Sequence, residues 1–239
     1  MGGLKQLTGE VRKISCLTCS EIEIMYSIMQ KYYYNTKIES FKNDLQEKKD
    51  VILLKELISG EIKGFSTIGL LKQVIDKKLI MALFSGDTII EKECWGSNKL
   101  PKFWFRYVFC LIDQVPQAEL YWFLITKGYK TYKFLPLFFH EFYPQYGKNF
   151  PEKEKRILDS LAILKFRDHY DLQRGVISFK QEKDYLKEGI ADIDEKKMQD
   201  VHIKYFVEKN PNWAKGNELA CITKLTRENI KSVAHKIAE

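Results

Sequence analysis

Apolar positions recur at helical spacing early in the chain: Ile22, Met25, Tyr26, Met29 and Tyr33. Thr18 and Ser20 are candidate N-caps before them, and Glu21 and Glu23 fall in the first turn. This predicts helix over 18–49 in two pieces. The first ends within 30–35, and the second covers 37–49 with Ile38, Phe41 and Leu45 on one face. The period then shortens. An apolar run at 51–56, a loose alternation over 61–68 that 70–75 continues, and a long run at 79–90 predict an antiparallel meander. The last run is the strongest strand signal, and it is long enough for a bulge or splay at Gly86.

Residues 95–101 predict a loop leading into a helix, with Pro101 suited to its first turn, and 102–114 an apolar helix. A buried strand follows at 120–125, broken by Gly128, and then a helix over 129–143, bent at Pro136. Phe134, Leu135, Leu137, Phe138, Phe139 and Phe142 are too many apolar residues for one helix face. That stretch is plain core first, the wall of an apolar pocket second and a dimer interface third. The tail predicts a helix at 151–165, a strand at 175–179, a helix through 202–208 stopped by Asn210-Pro211, a strand at 218–225 and a closing helix from 227. The order is an α+β pattern, a central sheet covered by helices.

Composition narrows the function. With 239 residues, 45% hydrophobic and 30% charged, the chain can bury a sizeable core and is not disordered by default. No apolar run approaches the length of a membrane span, so no membrane association is expected. The start, Met1-Gly2-Gly3-Leu4-Lys5-Gln6, lacks the apolar stretch of a signal peptide, and Gln6 argues against myristoylation. The net charge of +7 comes from 39 basic and 32 acidic residues, only six of the basic ones Arg. It is spread out: residues 1–150 carry 21 basic and 16 acidic residues, and 151–239 carry 18 and 16. That favours solubility with a modest bias toward a polyanionic ligand such as a phosphorylated cofactor, and argues against nucleic acid. Cys16-Leu17-Thr18-Cys19 has no second pair at zinc spacing, and Cys94, Cys110 and Cys221 are scattered, so reduced thiols, a cytoplasmic setting and no metal site are expected. His140, His169, His202 and His235 stand without partners at metal spacing.

Phe84-Ser85-Gly86-Asp87-Thr88 and Leu120-Tyr121-Trp122-Phe123-Leu124-Ile125-Thr126-Lys127-Gly128-Tyr129-Lys130-Thr131-Tyr132 carry a resemblance to a known family. In this element order the chain resembles the GCN5-related N-acetyltransferase (GNAT) superfamily as a divergent member. There, two helices precede strands that run into a long fourth strand; a cofactor-pyrophosphate loop and helix, a fifth strand and another helix follow. The matching stretch is 18–146, with the long strand at 79–92, the loop and helix at 95–113, the fifth strand at 120–125 and its helix at 129–146. The resemblance implies a mostly antiparallel mixed sheet flanked by helices. It implies a core over 1–150 and an extension over 151–239 that completes the sheet within the same compact unit. The family's usual loop, Gln/Arg-x-x-Gly-x-Gly/Ala, is replaced by Trp95-Gly96-Ser97-Asn98-Lys99-Leu100 with a single Gly.

The implied activity is transfer of an acetyl or other acyl group from acetyl-CoA, or a related thioester, to an amine on a small molecule or protein. The alternative is a non-catalytic descendant that binds a ligand or protein. Under the resemblance, Gly96, Ser97, Asn98 and Lys99 face the cofactor phosphates, and Ser85, Thr88 and Ile89 belong to the strand segment that polarises the thioester carbonyl. Tyr132 is the positional match for the general acid, with Tyr129 second; both also read as aromatic core with a hydroxyl at the rim. Asp87, a carboxylate inside an apolar strand, is the candidate base, with Glu91 and Glu93 after it; a structural carboxylate is the competing reading. A homodimer is compatible with the aromatic stretch.

Overall fold

The computed structural model describes residues 6–179 and 184–239; the Met1-Gly2 start lies outside them. The chain runs β1 (Leu7–Lys13), α1 (Cys19–Tyr32), β2 (Tyr33–Tyr34), α2 (Ile38–Gln46), β3 (Asp50–Glu56), β4 (Ile62–Ile75), β5 (Lys78–Ile90), α3 (Lys99–Gln114) and β6 (Glu119–Thr126). Then come α4 (Tyr129–Tyr132), α5 (Phe134–Phe138), α6 (Glu152–Phe166), β7 (Tyr170–Asp171), β8 (Val176–Ile177), β9 (Tyr185–Leu186), α7 (Val201–Lys209), β10 (Glu218–Lys224) and α8 (Ser232–Ala238). Thr18 starts α1 with a reciprocal cap: its hydroxyl accepts from the Glu21 N–H, and the Glu21 carboxylate accepts from the Thr18 N–H at 2.9 Å.

Eight strands form one mixed sheet in the order β1-β3-β4-β5-β6-β10-β8-β7. Every pairing is antiparallel except β5 with β6. The central strands are apolar on both sides because helices cover both sides. Met81, Leu83, Trp122 and Leu124 pack with α3, α7 and α8. On the opposite face Ala82, Phe84, Tyr121 and Phe123 pack with α6, while Val51, Leu53, Phe65 and Ile89 pack with α1 and α2.

The meander, α3 and β6 agree with the sequence pattern. The closing helix begins at Ser232 rather than 227 and the strand expected at 175–179 shrinks to Val176–Ile177; two further differences are larger. β1 carries no clear alternation in Leu7-Thr8-Gly9-Glu10-Val11-Arg12-Lys13, and edge position explains the polar content. The helix expected over 129–143 is cut short. After α5 the chain extends, and Tyr143 exchanges backbone hydrogen bonds with Ile222 of β10 (2.8 and 2.7 Å). Phe139 and Phe142 turn inward while His140 and Glu141 stay exposed, and the N–H groups of His140 and Glu141 donate to Asn229.

Candidate active site

The parallel ladder of β5 and β6 runs from Ile80↔Glu119 to Ser85↔Leu124 and stops there. β5 continues to Ile90, held on its other edge by β4. The β4 register shifts between Ile68↔Ser85 and Ser66↔Thr88, which leaves Thr67 opposite both Gly86 and Asp87, a β-bulge. Gly86 leaves room there: a Cβ would sit 2.4 Å from Thr67 Oγ1 and 2.6 Å from Lys48 Cε, and both side chains would have to shift. The extra residue changes which side chains share a face. Phe84 packs toward α6 and Ser85 toward α3, but past the bulge Ile89 packs with α1 and α2. Asp87 therefore turns to the α2–α6 side, where an unbulged strand would point it at α3.

A cavity of about 1110 Å³ occupies the opening and reaches both faces of the sheet. Its α3 side is lined by Ser85, Ser97, Leu100, Trp104, Trp122 and Phe134. Trp122 Nε1 donates to Ser85 Oγ at 2.8 Å, and the hydroxyls of Ser66 and Thr88 lie 2.7 Å apart. The other side is lined by Phe41, Phe84, Asp87, Phe166, His169 and Phe179.

Asp87 is half-buried, and among the described residues it makes no hydrogen bond or ion pair. Burial, and then the carboxylates of Asp44 and Asp184, push its pKa up to about 6 against the pull of Lys127 and Lys48. Those lysines are committed elsewhere. Lys48 holds Asp44 at 2.6 Å, and Lys127 pairs with Asp184 and stands 3.7 Å from Glu218. Burial disfavours the Lys127 ammonium, but Glu218 and Asp184 outweigh it and its pKa rises. Its Nζ also stands over the Tyr33 ring at 5.3 Å. Burial raises the Tyr33 pKa; Lys127 opposes this and the carboxylates of Asp87, Asp184 and Glu218 add to it, so the phenol stays protonated.

At the entrance beside α3, Gly96 (φ +85°) and Ser97 line the cavity, while Asn98 and Lys99 do not. The Lys99 N–H donates to Ser97 Oγ at 3.2 Å, and Pro101 has no N–H, so the helix start offers fewer free donors than an ordinary one. Lys130 Nζ lies 3.8 Å from the Trp95 ring centroid. Burial, and then the ammonium groups of Lys197 and Lys92, hold its pKa below the usual lysine value.

Three expected catalytic residues lie off the cavity. Tyr132 is fully buried, and its hydroxyl donates to the Pro144 carbonyl at 2.9 Å. Tyr129 is buried in the same core; Lys130 and Thr131, between the two, are the α4 residues that line the cavity. Glu91 is held by Lys31 and by the Tyr32 hydroxyl at 2.9 Å. Ser85, Asp87, Thr88, Ile89, Gly96 and Ser97 are brought together in the lining. Sequence reasoning missed Tyr33, Lys127, Asp184 and Glu218. Lys127 stood in a conspicuous segment, but its partners lie 57 and 91 positions further on, with no spacing to announce them.

No protein-family model matches the chain, and no curated protein matches it. Solved structures do resemble it. A conserved protein of unknown function from Enterococcus faecalis V583 is similar at 14% identity and TM-score 0.42, over 57% of this chain and 33% of that one. The likeness thus spans a third of the Enterococcus protein. Glucosamine-6-phosphate N-acetyltransferase from Arabidopsis thaliana is similar at 16% identity and TM-score 0.36, over 60% of this chain and 99% of that one. An aminoglycoside acetyltransferase from an uncultured soil metagenomic sample, in complex with sisomicin, is similar at 15% identity and TM-score 0.34, over 49% and 76%.

Proposed function

We propose that the chain is a divergent GNAT-type N-acyltransferase that moves an acetyl or other acyl group from coenzyme A, or a related thioester, to an amine. One observation carries this reading: the cavity at the opening of the parallel pair holds a carboxylate that has no partner among the described residues, its pKa raised to about 6. A general base works best when its pKa lies near the working pH, and structural carboxylates are ordinarily paired.

The donor suits the α3 side. A thioester arm is a slender chain with amide groups, and the edge of β5 over residues 86–89, released from β6, offers backbone groups to it. Ser85 and Thr88 flank that edge, and Gly96 and Ser97 face the phosphates at the entrance. The amine attacks the thioester carbon from the Asp87 side. The nitrogen–carbon bond forms, the carbonyl oxygen takes negative charge near a β5 N–H, and Asp87 accepts the proton that the nitrogen sheds. The oxyanion then collapses and the carbon–sulfur bond breaks. An alkyl thiolate is a far weaker base than the amide anion that would leave by the reverse path, so it departs without a strong acid and the mechanism does not require Tyr132.

One observation favours the second reading, a non-catalytic binder: the donor-poor helix start, with Lys99 off the cavity, weakens the phosphate end. The test is acetyl-CoA titration by calorimetry together with release of free thiol in the presence of amines. The transfer reading expects binding and amine-dependent thiol release that Asp87→Asn abolishes. Binding without release for any amine leaves the binder reading.

A further inference from the structure

The α2–α6 side of the cavity has a composition that selects among amines. Its wall is aromatic. The Phe84 and Phe166 rings stand 6.1 Å apart, Phe166 and Phe179 6.3 Å at 84°, and the His169 ring 4.7 Å from Phe179. His169 Nδ1 is buried and, among the described residues, without a hydrogen-bond partner.

The charges on this side are mostly held in pairs. Lys48 has Asp44 at 2.6 Å, Lys165 has Glu47 at 2.7 Å, and Lys127 has Asp184 and Glu218. Lys48 and Lys165 also stack over Phe84, at 5.4 and 4.9 Å, which fixes their stems against the wall. Among the described residues, each of these carboxylates touches a lysine, Asp184 and Glu218 sharing Lys127, and Asp87 touches none. A polyamine would bring second and third ammonium groups to carboxylates that already hold lysines. An amino sugar would bring a set of hydroxyls to a wall of phenyl rings that can satisfy few of them.

We infer that the acceptor is a singly charged primary amine carried on an aromatic body, the amine at Asp87 and the ring against Phe84, Phe166 and Phe179. The inference rests on the transfer reading for calling the ligand an acceptor. Phe166, His169 and Phe179, half of the six side chains named on this side, come from α6 and the segment after it, so the part of the chain beyond 150 shares in acceptor choice.

Calorimetric titration of the full chain with 2-phenylethylamine, ethanolamine, spermidine and glucosamine tests the inference without needing turnover. The expected result is 2-phenylethylamine binding at least about tenfold tighter than ethanolamine, with spermidine and glucosamine no tighter than ethanolamine. Phe166→Leu should cut the phenylethylamine preference about three- to tenfold and leave ethanolamine unchanged. Should that variant fail to fold, the wild-type ratio decides alone. Equal affinities, tighter spermidine or glucosamine, or no binding of 2-phenylethylamine overturns the inference. Thiol release from acetyl-CoA with the same amines keeps the two proposals apart. Phenylethylamine binding without release contradicts the transfer reading alone, and release with spermidine only contradicts the acceptor class alone.

Discussion

The two ends of the β5–β6 pair hold carboxylates in opposite states. At the closed end, Glu119 stands opposite Ile80 in the first rung of the ladder, and its carboxylate reaches Lys78. Burial works against its charge but is outweighed by hydrogen bonds from Lys153 (2.6 Å), Lys78 (3.1 Å) and Tyr121 (3.1 Å) and by the charge of Lys224, so its pKa falls to about 2. At the open end, burial raises the pKa of Asp87 to about 6 and no donor offsets it. The same chemical group, on one strand pair, is anchored where the strands close and left to react where they part. Strand pairing leaves room for cations at the first end, and the bulge at Gly86 aims a carboxylate into a cavity at the second.

The strongest way to break the contrast is at Asp87. Asp87→Asn should lower kcat/KM for amine acetylation by ~100–1000-fold, read by thiol release. The same change should stabilise the fold. A carboxyl whose folded pKa is raised costs stability as pH climbs from about 3.8 through about 6, so removing its charge should add ~1 kcal/mol at pH 7.5 in denaturant melts, a figure reduced for partial solvation. Gly86→Ala tests the bulge: crowding Thr67 and Lys48 should cost ~1–3 kcal/mol and lower activity by about tenfold as Asp87 moves. Glu119→Gln sharpens the other end. It should lose ~1–2 kcal/mol at pH 7 with activity unchanged, since a lowered carboxylate pKa contributes stability that is present above about 4.5 and lost as pH falls toward 2. The smallest effect is expected from Tyr132→Phe: ~1 kcal/mol of stability from the lost bond to the Pro144 carbonyl, and wild-type turnover.

The contrast was half legible in the sequence. The long run around Gly86 announced a bulge, and a carboxylate inside it announced a purpose, because both signals are local. The meander and the strand at Glu119–Thr126 followed from period and composition for the same reason. What failed was anything set by long-range pairing. The resemblance pointed to Tyr132 as an acid, yet the helix expected through 143 ends at Phe138, Tyr143 bridges to β10, and the Tyr132 hydroxyl ends against Pro144. The Lys127 cluster draws on positions 33, 127, 184 and 218, and no spacing rule joins them. Glu119 lies just outside the strand expected at 120–125, and its three lysines come from β5, α6 and β10.

The pH dependence of kcat/KM for acetyl transfer to a primary amine, wild type against Asp87→Asn, tests the central claim most directly. The base must be ionised, so the wild-type rate, corrected for protonation of the free amine, should rise with pH and level off above about 6. The variant should be slow, without that limb. A wild-type profile that shows no break near 6, or an Asp87→Asn variant that matches wild type in both rate and profile, would contradict the account.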